Sequence, residues 1–77
     1  MKNNEIDVII GQKMKELRLK KGYSMQYVAD RLGLKNRSSI AHIEAGRNVL
    51  SVSELKELCD IYNTDFRLVL KEISEIL

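Results

Sequence analysis

The segment GLKNRSSIAHIEAG, residues 33–46, holds the side chains of this chain that are best suited to binding chemistry. It combines basic and small polar residues with Ile40 and Ile43, which stand three residues apart. In a helix this spacing puts both isoleucines on one face and leaves Arg37 and His42 on others. Arginine offers two parallel N–H donors, serine donates or accepts, and histidine does either, so this polar face suits the edges of nucleic-acid bases.

The same residues also have plainer interpretations. Arg37 can be a solvated residue at a helix start, and a lone histidine such as His42 is more often a surface side chain than a ligand. Ser39 can bond locally to the helix backbone. Taken by itself, the segment leaves both a binding face and a solvated face open.

The charges of the chain are unevenly distributed, although the net charge is only +2. Residues 1–47 carry ten Lys/Arg against five Asp/Glu, a net +5, whereas residues 48–77 carry three against six, a net −3. A basic half fits a polyanion, because clustered Lys and Arg displace the counterions condensed on nucleic acid. A solvated surface is the commoner explanation of charge alone, so the charge permits a nucleic-acid partner without requiring one.

Several function classes find no support in the sequence. One histidine and one cysteine supply neither a nucleophile–base pair nor a zinc ligand set, and there is no glycine-rich phosphate loop. Cys59 falls at an apolar helical position and cannot form an internal disulfide. The apolar run at residues 8–10 is too short for a signal peptide or a membrane span. We therefore expect a soluble, cytoplasmic protein that is not an enzyme and needs no cofactor or metal.

Length and composition predict a single all-α domain over residues 1–77. The chain has no proline, and its 44% hydrophobic and 31% charged residues are ordinary for a globular protein. Alternating β-branched and aromatic runs are missing, which argues against a sheet. Apolar periodicity and caps predict five helices: about Asn4 to Lys20, residues 25–32 after the cap Ser24, residues 37–45 after the cap Asn36, a fourth helix opening with a Ser51–Glu54 capping box, and residues 66–77.

The periodicity also predicts which side chains face inward. The predicted inward set outside the third helix is Ile6, Ile10, Met14, Leu17, Val28, Ala29, Leu32, Val52, Leu55, Leu58, Cys59, Tyr62, Phe66, Val69, Leu70, Ile73, Ile76 and Leu77. Leu68 lies off this stripe on the fifth helix and adds apolar surface that a monomer need not cover.

Four segments, MKELRLKKGYS, VADRLGL, SSIAHIEAGRN and SVSELKELCDIY, resemble in this order the helix-turn-helix domain of the XRE family, the type of Cro and λ repressor. The resemblance covers about residues 8–70, with the helix-turn-helix at about residues 24–45. It implies a five-helix, λ-repressor-like fold. It also implies a sequence-specific transcription regulator of the repressor type that binds double-stranded DNA, of bacterial or phage origin.

The resemblance assigns roles to particular residues. In repressors of this fold the matching positions of the third helix enter the major groove: Arg37, Ser38, Ser39 and His42. The residues that bracket this helix are candidate phosphate contacts, which set position without reading sequence: Lys35, Asn36, Arg47 and Asn48. The family also forms an ion pair between the first and third helices, which here implies a partly buried, bidentate pair of Arg18 and Glu44.

The sequence departs from the family pattern at two places. Ile40 stands seven positions after Gly33, one more than is common, so the start of the third helix can shift and exchange the roles of Asn36 and Arg37. Many members carry a phosphate-binding glutamine at the first position of the second helix. Met25 stands there in this chain, and the Gln26 that follows is the candidate to replace that glutamine.

The expected partner is a palindromic operator bound by a homodimer, because one such domain covers a single half-site. Residues 66–77 are the candidate dimer interface. The alternative is that this helix packs back on the first helix near Ile6 and Ile9. A second function remains open, a protein-interaction module such as an antitoxin or coactivator on the same fold. The basic, serine-rich face of the third helix favours DNA.

Overall fold

The computed structural model describes residues 4–77 of the chain. Within this range it has five helices and no strand, which confirms the predicted all-α architecture. The helices are α1 (Asn4–Lys21), α2 (Met25–Arg31), α3 (Ser38–Glu44), α4 (Val52–Ile61) and α5 (Phe66–Ile76). The predicted domain also included residues 1–3, which lie outside the described part.

Short side-chain caps and glycines set the ends of these helices. The Ser24 hydroxyl accepts from the Tyr27 N–H at 3.0 Å at the start of α2. Ser51 and Glu54 form the predicted capping box at the start of α4, with N–H donors at 2.9 and 3.1 Å. Gly33 follows α2 with φ of +76°, a conformation that a residue with a Cβ rarely adopts, and it turns the chain toward α3.

The core lies between α1, α3, α4 and α5, with α2 packed against α3. Its buried apolar residues are Met14, Leu17, Val28, Ala29, Ile40, Ile43, Leu55, Leu58, Cys59, Tyr62, Val69 and Ile73. All of them belong to the predicted inward faces. Because the core contains residues of all five helices, α3 is held on a shared apolar base and not by a single neighbour.

Five residues of the predicted inward set are exposed, and this corrects the prediction made from periodicity. Ile6, Val52, Leu70, Ile76 and Leu77 have relative exposures between 42% and 72%. Ile6 and Val52 lie in the first turns of their helices, Leu70 and Ile76 lie on α5, and Leu77 directly follows it. Periodicity identifies the apolar face of a helix, but it does not show how far along and around the helix neighbours cover that face.

Candidate nucleic-acid interface

Helix α3 is anchored through its inner face. Ile40 and Ile43 are almost completely buried, at 1% and 8% exposure, and both belong to the core. Helix α3 contacts α1 along one side and α2 along the other. Its seven residues are too few to form a stable helix in isolation, so these contacts hold it in place. The inner face therefore fixes which residues point outward.

The start of α3 lies one residue later than the sequence predicted. The helix begins at Ser38, and Arg37 takes the N-cap position without using its side chain as a cap. The Asn36 side-chain oxygen accepts from the Ser38 N–H at 3.0 Å and also from the Ser38 hydroxyl. Asn36 thus caps the helix from one position further out, because the longer turn adds a residue between it and Ile40.

Most of the predicted contact residues are exposed, and they lie on α3 or in the segments directly before and after it. The exposed members are Lys35, Asn36, Arg37, Ser38 and His42, followed by Arg47 and Asn48 in the connection to α4. Ser39 differs because it is half-buried. Within residues 4–77 neither Lys35, Arg37 nor Arg47 has a carboxylate within 4 Å of its charged group. These cations are therefore available to an external anion.

Gln26 is exposed on α2, but its amide group is already engaged. The Gln26 Nε2 donates to Asp30 Oδ1 at 2.9 Å, one helical turn further along. A phosphate at Gln26 would have to replace this bond and would approach the negative charge of Asp30. The geometry therefore makes Gln26 a weaker anion-binding residue than Lys35 or Arg47.

Arg18 of α1 and Glu44 of α3 lie against each other below this surface. The Arg18 Nε donates to Glu44 Oε2 at 2.7 Å, and Nη2 donates to Oε1 at 3.1 Å, in a bidentate arrangement. Both residues are only 7% exposed. The Glu44 carboxylate raises the pKa of the Arg18 guanidinium through this hydrogen bond. The remaining Nη1 donates to the Tyr23 carbonyl at 2.9 Å, so the guanidinium joins α1, α3 and the connection before α2.

A glycine brings the backbones of α1 and α3 together. A Cβ placed at Gly11 would lie 2.4 Å from the Ile43 carbonyl oxygen and 2.7 Å from the Glu44 carbonyl oxygen. Gly46, just after α3, makes a similar approach to Val8, and its φ is +77°. The contact at Gly11 was not predicted from the sequence, although a single glycine inside a helical pattern can indicate a close approach of another backbone.

Two tyrosines extend the buried network around Arg18. The Tyr62 ring is fully buried and stacks near the Tyr23 ring, with centroids 6.4 Å apart. Its hydroxyl has no hydrogen-bond partner among the described residues. Burial, with a further contribution from Glu44, raises the pKa of the Tyr62 hydroxyl, so this group stays neutral beside the ion pair. The sequence marked Tyr62 only as apolar core, because periodicity does not reveal its polar neighbours.

Two further features concern the described range alone. Residues 4–77 contain no group of three or more His, Cys, Asp or Glu side chains that could hold a metal ion. No helix in the same range is both long enough and apolar enough to cross a membrane.

Comparison with known proteins agrees with this geometry. Residues 14–69 match the family model described as helix-turn-helix. The fold is similar to the crystal structure of the restriction-modification controller protein C.AhdI from Aeromonas hydrophila, with a TM-score of 0.78 and 28% identity over 90% of this chain and 99% of that one. The search of curated proteins finds no significant match. The two likenesses indicate a DNA-binding transcription regulator. The chain belongs to the XRE-type helix-turn-helix family.

Proposed function

We propose that this protein is a sequence-specific transcription regulator of the repressor type, which reads the major groove of double-stranded DNA with the start of α3. One observation carries the proposal: a basic and polar surface projects from a helix whose opposite face is buried through Ile40 and Ile43. A protein-interaction module of the same fold would favour an apolar outer face on α3. The exposed Lys35, Arg37 and Arg47 therefore favour DNA.

Within this surface, Arg37, Ser38 and His42 are assigned to base edges. Arg37 is exposed and has no carboxylate partner, so its guanidinium is available to bind guanine O6 and N7 together. Ser38 and His42 are one helical turn apart on the same exposed face, and the Ser38 hydroxyl, which donates to Asn36, can still accept a hydrogen bond from a base. Ser39 is half-buried and is assigned a secondary, local role at the helix start.

The flanking residues are assigned to the phosphates. Lys35 and Arg47 supply charge, Asn48 supplies an amide, and Asn36 keeps its amide nitrogen free for the backbone while its oxygen caps α3. Gln26 joins them only when it releases Asp30. These contacts fix the position of α3 in the groove without selecting a base.

The Arg18–Glu44 pair is a positioning device in this proposal. Within residues 4–77 the side chains of the pair hydrogen-bond to each other and to the Tyr23 carbonyl, not to the residues assigned to DNA, so its role is to keep α3 at one angle on α1. The close approach of Gly11 to the end of α3 supports the same role, because it leaves no gap in which the helix can shift.

The functional unit is proposed to be a homodimer on a palindromic operator. Four apolar side chains of α5 remain at least 42% exposed in the protomer: Leu68, Leu70, Ile76 and Leu77. A second α5 can cover Leu70 and Leu77, which share one face of the helix, and such a dimer would bind an operator whose two half-sites lie about 34 Å apart along the duplex.

Salt dependence tests DNA binding directly. We expect the affinity for DNA to fall steeply as salt rises, with a logarithmic slope of about 0.9 for each phosphate neutralised. Lys35→Ala and Arg47→Ala should each reduce this slope by about one, because each removes one phosphate contact. The matched control is Lys56→Ala on α4, whose side chain is 52% exposed and lies outside both the DNA surface and the candidate dimer interface. A salt-independent affinity, or equal slopes for all three variants and the parent, would contradict the proposal.

A further inference from the structure

A small apolar cleft lies between the turn after α2, α3 and the first part of α4, outside the proposed DNA interface. Its apolar lining is Leu32, Leu34, Ile43, Leu50 and Leu58, and Glu54 and Glu57 of α4 also line it. It encloses about 80 Å³. The cleft shares no residue with the surface assigned to DNA, although Leu34 directly precedes Lys35 in the chain.

The size and lining of the cleft suit one aliphatic side chain. Its volume matches about two to three water molecules at roughly 30 Å³ each, but apart from Glu54 and Glu57 the side chains that line it offer such waters no hydrogen-bond partners. Two neighbours of Leu50 in the chain, Val49 and Val52, are also exposed, at 77% and 72%. An apolar group that enters the cleft would therefore remove apolar surface from water without leaving a polar atom unpaired.

The charge at the cleft identifies the class of partner. Glu54 uses one carboxylate oxygen for the Ser51 N–H, and Glu57 has no ion-pair or hydrogen-bond partner within residues 4–77. Two carboxylates beside the cleft repel phosphate, so DNA is the wrong occupant. They also disfavour a second copy in a symmetric contact, because a two-fold axis would bring the same acidic rims together. A cationic polypeptide with an aliphatic side chain matches both the apolar lining of the cleft and its two carboxylates.

We propose that this cleft docks a basic segment of a partner protein, which inserts one aliphatic side chain between Leu32, Leu34 and Leu50 and places Lys or Arg beside Glu54 and Glu57. The site is separate from the DNA surface, so the partner and DNA can bind at the same time. A variant that loses binding of the partner segment should keep DNA binding, and the reverse. The docking proposal, which is separate from the proposed function, can therefore fail while DNA binding holds.

The probe is a short synthetic amphipathic helix with leucine on one face and arginine on either side of it. Added to the ¹⁵N-labelled full chain at low salt, it should shift the amide signals of Leu34, Leu50 and Glu57 in a saturable way. The same peptide with glutamate in place of arginine should not bind. Glu57→Lys should weaken binding of the arginine peptide by about tenfold, equivalent to ~1.4 kcal/mol.

The control variant is Glu5→Lys, which changes the net charge equally at an exposed position near the start of α1. It should bind the arginine peptide like the parent chain, and Glu57→Lys should keep the DNA affinity of the parent. The proposal is overturned by absence of saturation, by equal binding of the two peptides or by shifts centred on α5. Shifts at the cleft on simple dilution of the protein would assign it to a second copy and would also overturn the proposal.

Discussion

At the scale of single residues, Glu44 has the most demanding position in the molecule. A carboxylate that is only 7% exposed is costly to bury, and Arg18 offsets this cost with two hydrogen bonds. The same contact joins α3 to α1. The buried Glu44 carboxylate, which is costly by itself, therefore also helps to position the proposed DNA-binding helix. The sequence could mark the two residues only through the family resemblance, because no local pattern links positions so far apart in the chain.

This pair predicts strong energetic coupling. Arg18→Met and Glu44→Met should each lower the free energy of unfolding by about 3–5 kcal/mol, because each leaves a buried charge without its partner. The double variant should lose much less than the sum, since two apolar side chains can pack together. Urea unfolding of the four proteins measures the coupling. Additive losses in the double-mutant cycle would exclude a role for the pair.

The exact start of α3 is also decided by single side chains. Residues 35–39 form a polar run in which either Asn36 or Arg37 can precede the helix, and propensity does not separate them. The choice depends on two hydrogen bonds from Ser38 to the Asn36 side chain, which form only in the folded turn. The presence of the helix was therefore predictable, but its first residue was not.

At the scale of helices, α3 is a short element that α1 supports closely. Most of this arrangement could be predicted, because Ile40, Ile43 and the glycines on either side mark a short amphipathic helix between two turns. The backbone contact at Gly11 could not, since periodicity describes a helix face and not the distance to its neighbour. The same limit explains the exposed residues of α5, where coverage depends on the placement of other helices.

Gly11→Ala tests the α1–α3 contact. Alanine favours a helix over glycine by about 1 kcal/mol, but its Cβ would overlap two carbonyl oxygens, and overpacking costs about 1–3 kcal/mol. We expect the overlap to dominate, so that the free energy of unfolding falls and DNA affinity falls with it. Gln12→Ala, at an exposed neighbouring position, is the control and should change neither quantity by more than ~0.5 kcal/mol. A more stable Gly11→Ala variant with full DNA affinity would show that the contact is loose.

At the scale of the whole molecule, net positive and net negative charge belong to different parts of the chain. The basic first part of the chain supplies most of the proposed DNA surface, and the acidic second part, residues 48–77, carries α4 and α5. The acidic second part is repelled by the DNA phosphates. This repulsion weakens non-specific binding through that part and orients the basic surface toward DNA. The exposed leucines and isoleucine of α5 lie in the acidic part.

If the chain forms the proposed dimer through α5, substitutions on the exposed face of α5 should convert it to a monomer. The parent chain should elute as a dimer at micromolar concentration, and the double variant Leu70→Lys with Leu77→Lys should elute as a monomer, because two buried lysines oppose each other across the interface. Leu19→Lys on α1 is the matched control, since Leu19 is also well exposed, and it should remain a dimer. Monomeric elution of the parent chain would remove the dimer from the account.

Selection of bound duplexes from a random DNA pool tests the central claim, which is that residues at the start of α3 read bases. The parent chain should enrich a sequence with two inverted half-sites. Arg37→Ala should bind that sequence more weakly by about 1–3 kcal/mol and lose its preference at one base pair of each half-site, while the other preferences remain. The account would be contradicted if the parent chain enriched no sequence. It would also be contradicted if Arg37→Ala enriched the same sequence as the parent chain with the same preference at every base pair.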